Sequence, residues 1–176
     1  MSQSGWVRRG WRRRPLWQRL LFDAVLIAAV LYAVHWYQTR DLAAGVLPVV
    51  VARTLEGEPV DVTQLPRPLL IHFWATWCPV CRAEEDSIQS ISRDHAVLGI
   101  ALEDGPPESV RRYMAEHGLT FPTIQDADGS IGRRFGVKGV PTSFVIDADD
   151  RIRFVSMGYT TEWGLRLRLW WAGRGE

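Results

Sequence analysis

The stretch Leu69-Leu70-Ile71-His72-Phe73-Trp74-Ala75-Thr76-Trp77-Cys78-Pro79-Val80-Cys81-Arg82 decides the fold. Leu69–Trp74 is a continuous apolar run broken by His72, the pattern of a central strand buried on both faces. Residues 79–93 read as a helix, and Pro79 fits its first position, where a missing N–H costs nothing. A Cys-x-x-Cys therefore stands where a buried strand gives way to a helix. Cys78 falls at the N-cap or first turn, where unpaired backbone N–H groups and the positive end of the helix dipole favour a thiolate. Cys81 falls one turn further in, close enough to attack a mixed disulfide formed at Cys78. The spacing predicts a nucleophile and a resolving thiol of different exposure.

These are the chain's two cysteines. A bridge between them closes a four-residue loop, worth roughly 2 kcal/mol on the chain-entropy estimate, which makes it a poor staple. A structural zinc site usually wants four Cys or His ligands, and His95 and His117 lack the spacing. Covalent haem attachment needs His after the second Cys, where Arg82 stands. A peroxiredoxin would carry Thr three residues before its reactive Cys, where Ala75 stands. A copper(I)-binding dithiol module remains as the alternative to a redox pair. No separate cofactor and no metal ligand set is expected beyond a redox-active Cys78–Cys81 disulfide.

Outward from the motif, strands are expected over 46–54 and 59–62 as a hairpin, then over 96–102, 121–125, 142–147 and 151–156. Helices are expected over 108–117, 130–135 and 161–171. This alternation indicates an α/β layered domain.

The 176 residues suffice for one domain and an appendage. Seven arginines and a single acid, Asp23, fall in residues 1–40, leaving fourteen basic and nineteen acidic groups in the rest. A basic tip on an acidic body argues against a nucleic-acid partner. Residues 20–37, LLFDAVLIAAVLYAVHWY, are apolar apart from Asp23 and His35, and as a helix span about 27 Å. With the arginines in front of it, this run predicts a single transmembrane anchor with the remainder exported. The expected organisation is a cytoplasmic basic N-terminus over 1–19, an anchor over 20–37, a tether over 38–45 and a catalytic domain over 46–176.

The block Trp74-Ala75-Thr76-Trp77-Cys78-Pro79-Val80-Cys81-Arg82, with Gly139-Val140-Pro141-Thr142 about sixty residues on, resembles the membrane-anchored thioredoxin-like proteins of the TlpA/ResA type. Within them it is most similar to the ScsD branch of protein disulfide oxidoreductases. The resemblance covers roughly residues 46–172. It implies a thioredoxin fold with an N-terminal β-hairpin and an inserted strand and helix. It also implies a membrane-tethered periplasmic thiol-disulfide oxidoreductase, a reductant of protein disulfides kept reduced by a transmembrane electron donor. Cys78 is then the attacking thiol, Cys81 resolves, and Pro141 is a cis-proline facing them. Trp77, Pro79, Val80, Val140 and Pro141 form the expected substrate contacts, with the Val140 backbone offered to an extended chain, while Trp74 is a core aromatic.

Two departures from the family pattern bear on the proton chemistry. Thioredoxins bury an Asp where this chain has His72, which makes His72 the candidate base for Cys81. A Glu of the inserted segment is the other candidate, with Glu103, Asp104 and Glu108 in range.

Overall fold

The computed structural model describes residues 16–39 and 45–174. The basic stretch before residue 16 and tether residues 40–44 lie outside the described residues. The chain divides into two units, Met1–Gln38 and Thr39–Glu176.

α1 covers Leu16–Thr39, all but its last residue in the first unit. Leu20, Phe22, Val25, Leu26, Ile27 and Val30 on it are exposed. The membrane-spanning helix expected over 20–37 does not emerge as one: among the described residues no helix is long and apolar enough to cross a membrane. The side chains at 16, 19, 31 and 35–39 lie outside the described ones. Asp23 interrupts the apolar run of α1 near its start.

The second unit is built on a six-stranded mixed sheet. Its strands are β1 Gly45–Val46, β4 Leu69–Trp74, β5 Ala96–Ala101, β6 Thr123–Gln125, β7 Thr142–Ile146 and β8 Arg151–Met157, in the order β1-β8-β7-β4-β5-β6. β2 Val51–Arg53 and β3 Pro59–Asp61 form a separate antiparallel hairpin. The expected strand over 46–54 is thus split. Pro48 falls between its halves, where a residue without an N–H cannot continue a ladder, and β1 pairs with β8 instead. The helices are α2 Pro79–Ile91, α3 Pro107–Glu116, α4 Ser130–Arg134 and α5 Glu162–Ala172, each within a few residues of its expected place.

β4 is central because it is apolar on both faces. It pairs in parallel with β5 and antiparallel with β7. Side chains alternate along a strand, so Leu69, Ile71 and Phe73 enter one core layer with Leu98, Ile100, Phe135 and Phe144. Leu70 and Trp74 enter the other, with Cys78, Cys81, Ile88, Ile91, Leu165 and Leu169 from α2 and α5. His72 shares the parity of Leu70 and Trp74. Strand alternation alone therefore turns the imidazole toward the motif helix.

β5 has to pass close beneath the neighbouring side chains. A Cβ on Gly99 would stand 2.6 Å from Thr123 Oγ1, 2.8 Å from the Phe121 ring and 3.0 Å from Trp74 Nε1. Glycine at this position sets the seat of Trp74, which packs on Tyr113 and Phe121 in front of the motif turn.

Candidate active site

Cys78 is the N-cap of α2, and its sulfur accepts the backbone N–H of Cys81 at 3.2 Å. Pro79 follows at the first helical position. Across from this turn the Val140–Pro141 bond is cis, as the resemblance implied for Pro141. The Cys78 Sγ donates to the Val140 carbonyl oxygen at 3.6 Å. The turn is pinned by Thr142 Oγ1 donating to Gly139 O and by Gly158 N donating to Pro141 O. Residues sixty apart in sequence thereby meet at one sulfur.

Both cysteines are free thiols, and each residue is only 4% exposed. The expected difference in exposure is therefore absent, because the Val140 turn covers Cys78 from the other side of the sheet end. The difference lies in the surroundings of the two sulfurs. Burial pushes the Cys81 thiol well up, with smaller contributions from Cys78 and from the negative charge of Glu84.

Glu84 is the functional candidate that sequence reasoning missed. It stands three residues after Cys81, on the buried stripe Cys81, Glu84, Ile88, Ile91 of α2. A carboxylic acid in an otherwise apolar i, i+3, i+7, i+10 stripe was a readable signal. Glu84 is 1% exposed, and its Oε2 accepts the backbone N–H of Thr160 at 2.9 Å. Its Oε1 has no hydrogen-bond partner. Desolvation raises its pKa to about 7, against the lowering effect of the Thr160 N–H. It is thus poised to change protonation at neutral pH.

His72 is 2% exposed, and burial lowers its pKa to about 3, which keeps the ring neutral. Its Nδ1 lies 2.9 Å from Ser143 Oγ on β7 and 3.8 Å from Glu84 Oε1. The structure brings His72 to Glu84, whose negative charge also contributes to raising the Cys81 thiol.

The acids proposed from the inserted segment serve elsewhere. Glu103 Oε2 accepts from Thr76 N at 3.2 Å and Thr76 Oγ1 at 2.8 Å, holding the turn that precedes Cys78. Glu108 pairs with Arg111 at the start of α3. Asp104 lines a shallow hollow beside Trp77 with Glu103 and Asp128. Trp77 is 66% exposed and Val80 is exposed beside it, so the rim of the site is apolar and open. Trp74 is buried, as expected of a core aromatic. Among the described residues no group of three or more His, Cys, Asp or Glu is arranged to hold a metal ion.

The chain is similar to known proteins in sequence and fold. A thioredoxin-like protein of Haemophilus influenzae is 29% identical over 126 residues, covering 70% of this chain and 75% of its own. The thiol:disulfide interchange protein DsbE of Yersinia pestis is 29% identical over 134 residues, covering 66% and 71% respectively. The crystal structure of a secreted Mycobacterium tuberculosis disulfide oxidoreductase superposes with a TM-score of 0.61 at 27% identity, covering 68% of this chain and 93% of that one. The model of the AhpC/TSA family matches residues 45–155, the span that carries the sheet, both cysteines and the cis-proline turn. The chain belongs to the AhpC/TSA family, among its thioredoxin-like thiol-disulfide oxidoreductases.

Proposed function

We propose that this thiol-disulfide oxidoreductase is a reductant of protein disulfides working through the Cys78-Pro79-Val80-Cys81 pair. The observation that carries the reading is the Cys78 sulfur at the α2 N-terminus, facing Val140, with Cys81 buried one turn behind it beside Glu84.

The Cys78 thiolate attacks one sulfur of a substrate disulfide, and the other substrate sulfur leaves as a thiolate that takes up a proton. Cys81 then gives its proton to Glu84 and attacks the Cys78 sulfur of the mixed disulfide. The second substrate thiol leaves, and the Cys78–Cys81 disulfide forms. The substrate gains two electrons and the pair loses two. A membrane-embedded dithiol donor returns the pair to its reduced form. The reducing direction rests on the resemblance of the Trp74–Arg82 block to membrane-anchored relatives that are kept reduced. Trp77, Pro79, Val80 and the Val140 backbone form the wall along which an extended substrate lies.

The reading includes export and retention at the cytoplasmic membrane by the N-terminal segment, with the catalytic unit in the periplasm. This part rests on the sequence, with its arginine cluster and apolar run, and on the secreted relative. The ScsD branch within the family rests on the Pro-Val dipeptide between the cysteines.

Insulin-disulfide reduction tests the activity. Cys78→Ser should abolish it and Cys81→Ser should accumulate mixed disulfides; full activity in Cys78→Ser refutes the scheme. Equilibration against glutathione tests the direction, because thioredoxin-like pairs span about −270 to −120 mV. A value at the oxidising end overturns the reductant assignment. Tight copper(I) binding without exchange activity points instead to the copper-binding module.

A further inference from the structure

α5 has two apolar faces. Leu165, Leu169 and Ala172 are buried against the sheet layer. At 100° per residue, Trp163, Leu167, Trp170 and Trp171 fall together on the opposite side. All four are exposed, Trp163 to 83%. Three tryptophans and a leucine in one outward stripe form a contiguous apolar surface of the kind that marks an interaction site.

The stripe is bordered by arginines, although the chain beyond residue 40 has more acids than bases. The Arg174 guanidinium sits 3.4 Å over the Trp170 ring. Arg153 and Arg168 line a hollow with Phe154, Leu167 and Trp171 beside the stripe, and Arg168 also donates to Ser156. Arg166 is committed to Glu162 and Asp94. Asp147 and Asp149 line a second hollow together with Arg151, Arg153, Trp171 and Arg174, so bases outnumber acids there. Asp147 is occupied by the backbone N–H groups of its own turn, at Asp149 and Arg151.

We propose that the outward face of α5 docks on an anionic lipid bilayer surface, with Trp163, Leu167, Trp170 and Trp171 at headgroup depth and Arg153, Arg168 and Arg174 on the lipid phosphates. Tryptophan with arginine is the composition of surfaces that lie in a membrane interface, where amphipathic rings sit at the headgroups and cations meet anionic lipid. A second copy fits less well. A two-fold contact brings the same arginine-bordered patch to both sides, which doubles the positive charge at the seam, whereas anionic lipid neutralises it. The inference rests on the proposed location at the membrane and deepens it, since it turns the catalytic unit into a second point of membrane contact.

Hydrogen exchange on the full chain tests it, read locally over residues 162–174 so that lipid binding elsewhere does not contribute. Vesicles of phosphatidylglycerol should slow exchange in this segment, and vesicles of phosphatidylcholine should not. Arg153→Gln and Arg174→Gln should each raise the lipid concentration for half-protection about fivefold. The triple variant Trp163→Ser, Trp170→Ser, Trp171→Ser should lose the protection while keeping insulin reduction in solution. Unchanged exchange at 162–174 on vesicle-bound protein overturns the proposal, as does equal slowing on both lipids. Slowing without vesicles that grows with protein concentration overturns it in favour of a second copy. Should the triple variant fail to fold, the two-lipid comparison on the unaltered chain decides. Loss of insulin reduction in the unaltered chain would instead refute the proposed activity, leaving the exchange result intact.

Discussion

Glu84 Oε1 lies 3.8 Å from His72 Nδ1, and both side chains are sealed from solvent between β4 and α2. One is an acid raised to about 7 and the other a base lowered to about 3, each by burial. Near neutral pH the imidazole is uncharged and the carboxyl takes or gives the proton. In the proposed scheme Glu84 takes the proton of Cys81, the role that the thioredoxin-like position of His72 suggested for the imidazole.

Glu84→Gln should slow resolution of the mixed disulfide by roughly 10²–10⁴-fold, the range of general-base catalysis. Attack by Cys78 should change little. Rapid-quench separation of the two steps provides the measurement. In the unaltered protein the resolution rate should rise through about pH 7 as Glu84 deprotonates, and the glutamine variant should lose that inflection.

The same two groups set opposite slopes of stability with pH. Glu84 has a folded pKa raised above the ordinary 4.5 of a glutamate, so its contribution is present below about 4.5 and is lost as pH rises through about 7. His72 is depressed from 6.5, so its contribution is present above 6.5 and is lost as pH falls toward about 3. Urea melts at pH 4.5 and pH 8 should show Glu84→Gln gaining on the unaltered protein at the higher pH, by about 1–3 kcal/mol. His72→Leu should flatten the acid side.

Gly99→Ala should destabilise the fold by about 1–3 kcal/mol, the usual cost of overpacking. The new Cβ would meet Thr123, Phe121 and Trp74. Thr123→Ala in the same chain should recover part of the loss by removing the shortest of these contacts. Denaturant midpoints of the single and double variants check both statements.

Trp77→Ala should leave stability within about 0.5 kcal/mol, as for most exposed positions, because the side chain is two-thirds exposed. If the ring is a wall of the substrate groove, KM for insulin rises while reduction of a small aromatic disulfide stays unchanged. Equal loss on both substrates would assign Trp77 to the cysteine pair itself.

Much of this protein is determined by local pattern. The apolar run of β4 identifies the central strand, because only a strand buried on both faces tolerates no polar alternation. The Cys-Pro-Val-Cys junction locates the redox pair, because helix termini have a fixed chemistry at fixed offsets. Tertiary structure decided what depends on distance across the sheet. The Val140 carbonyl reaches Cys78 only because β7 runs beside β4, and the same covering turn removes the exposure difference that spacing suggested. Glu103 lies on the expected inserted segment, yet it holds Thr76, and Glu84 on α2 stands by Cys81 instead. The sequence of α5 is apolar almost all round, so periodicity could not tell which face packs and which is left outside. A pKa follows from how much water is excluded around a group. That quantity belongs to the assembled layers and not to any residue's neighbours in the chain.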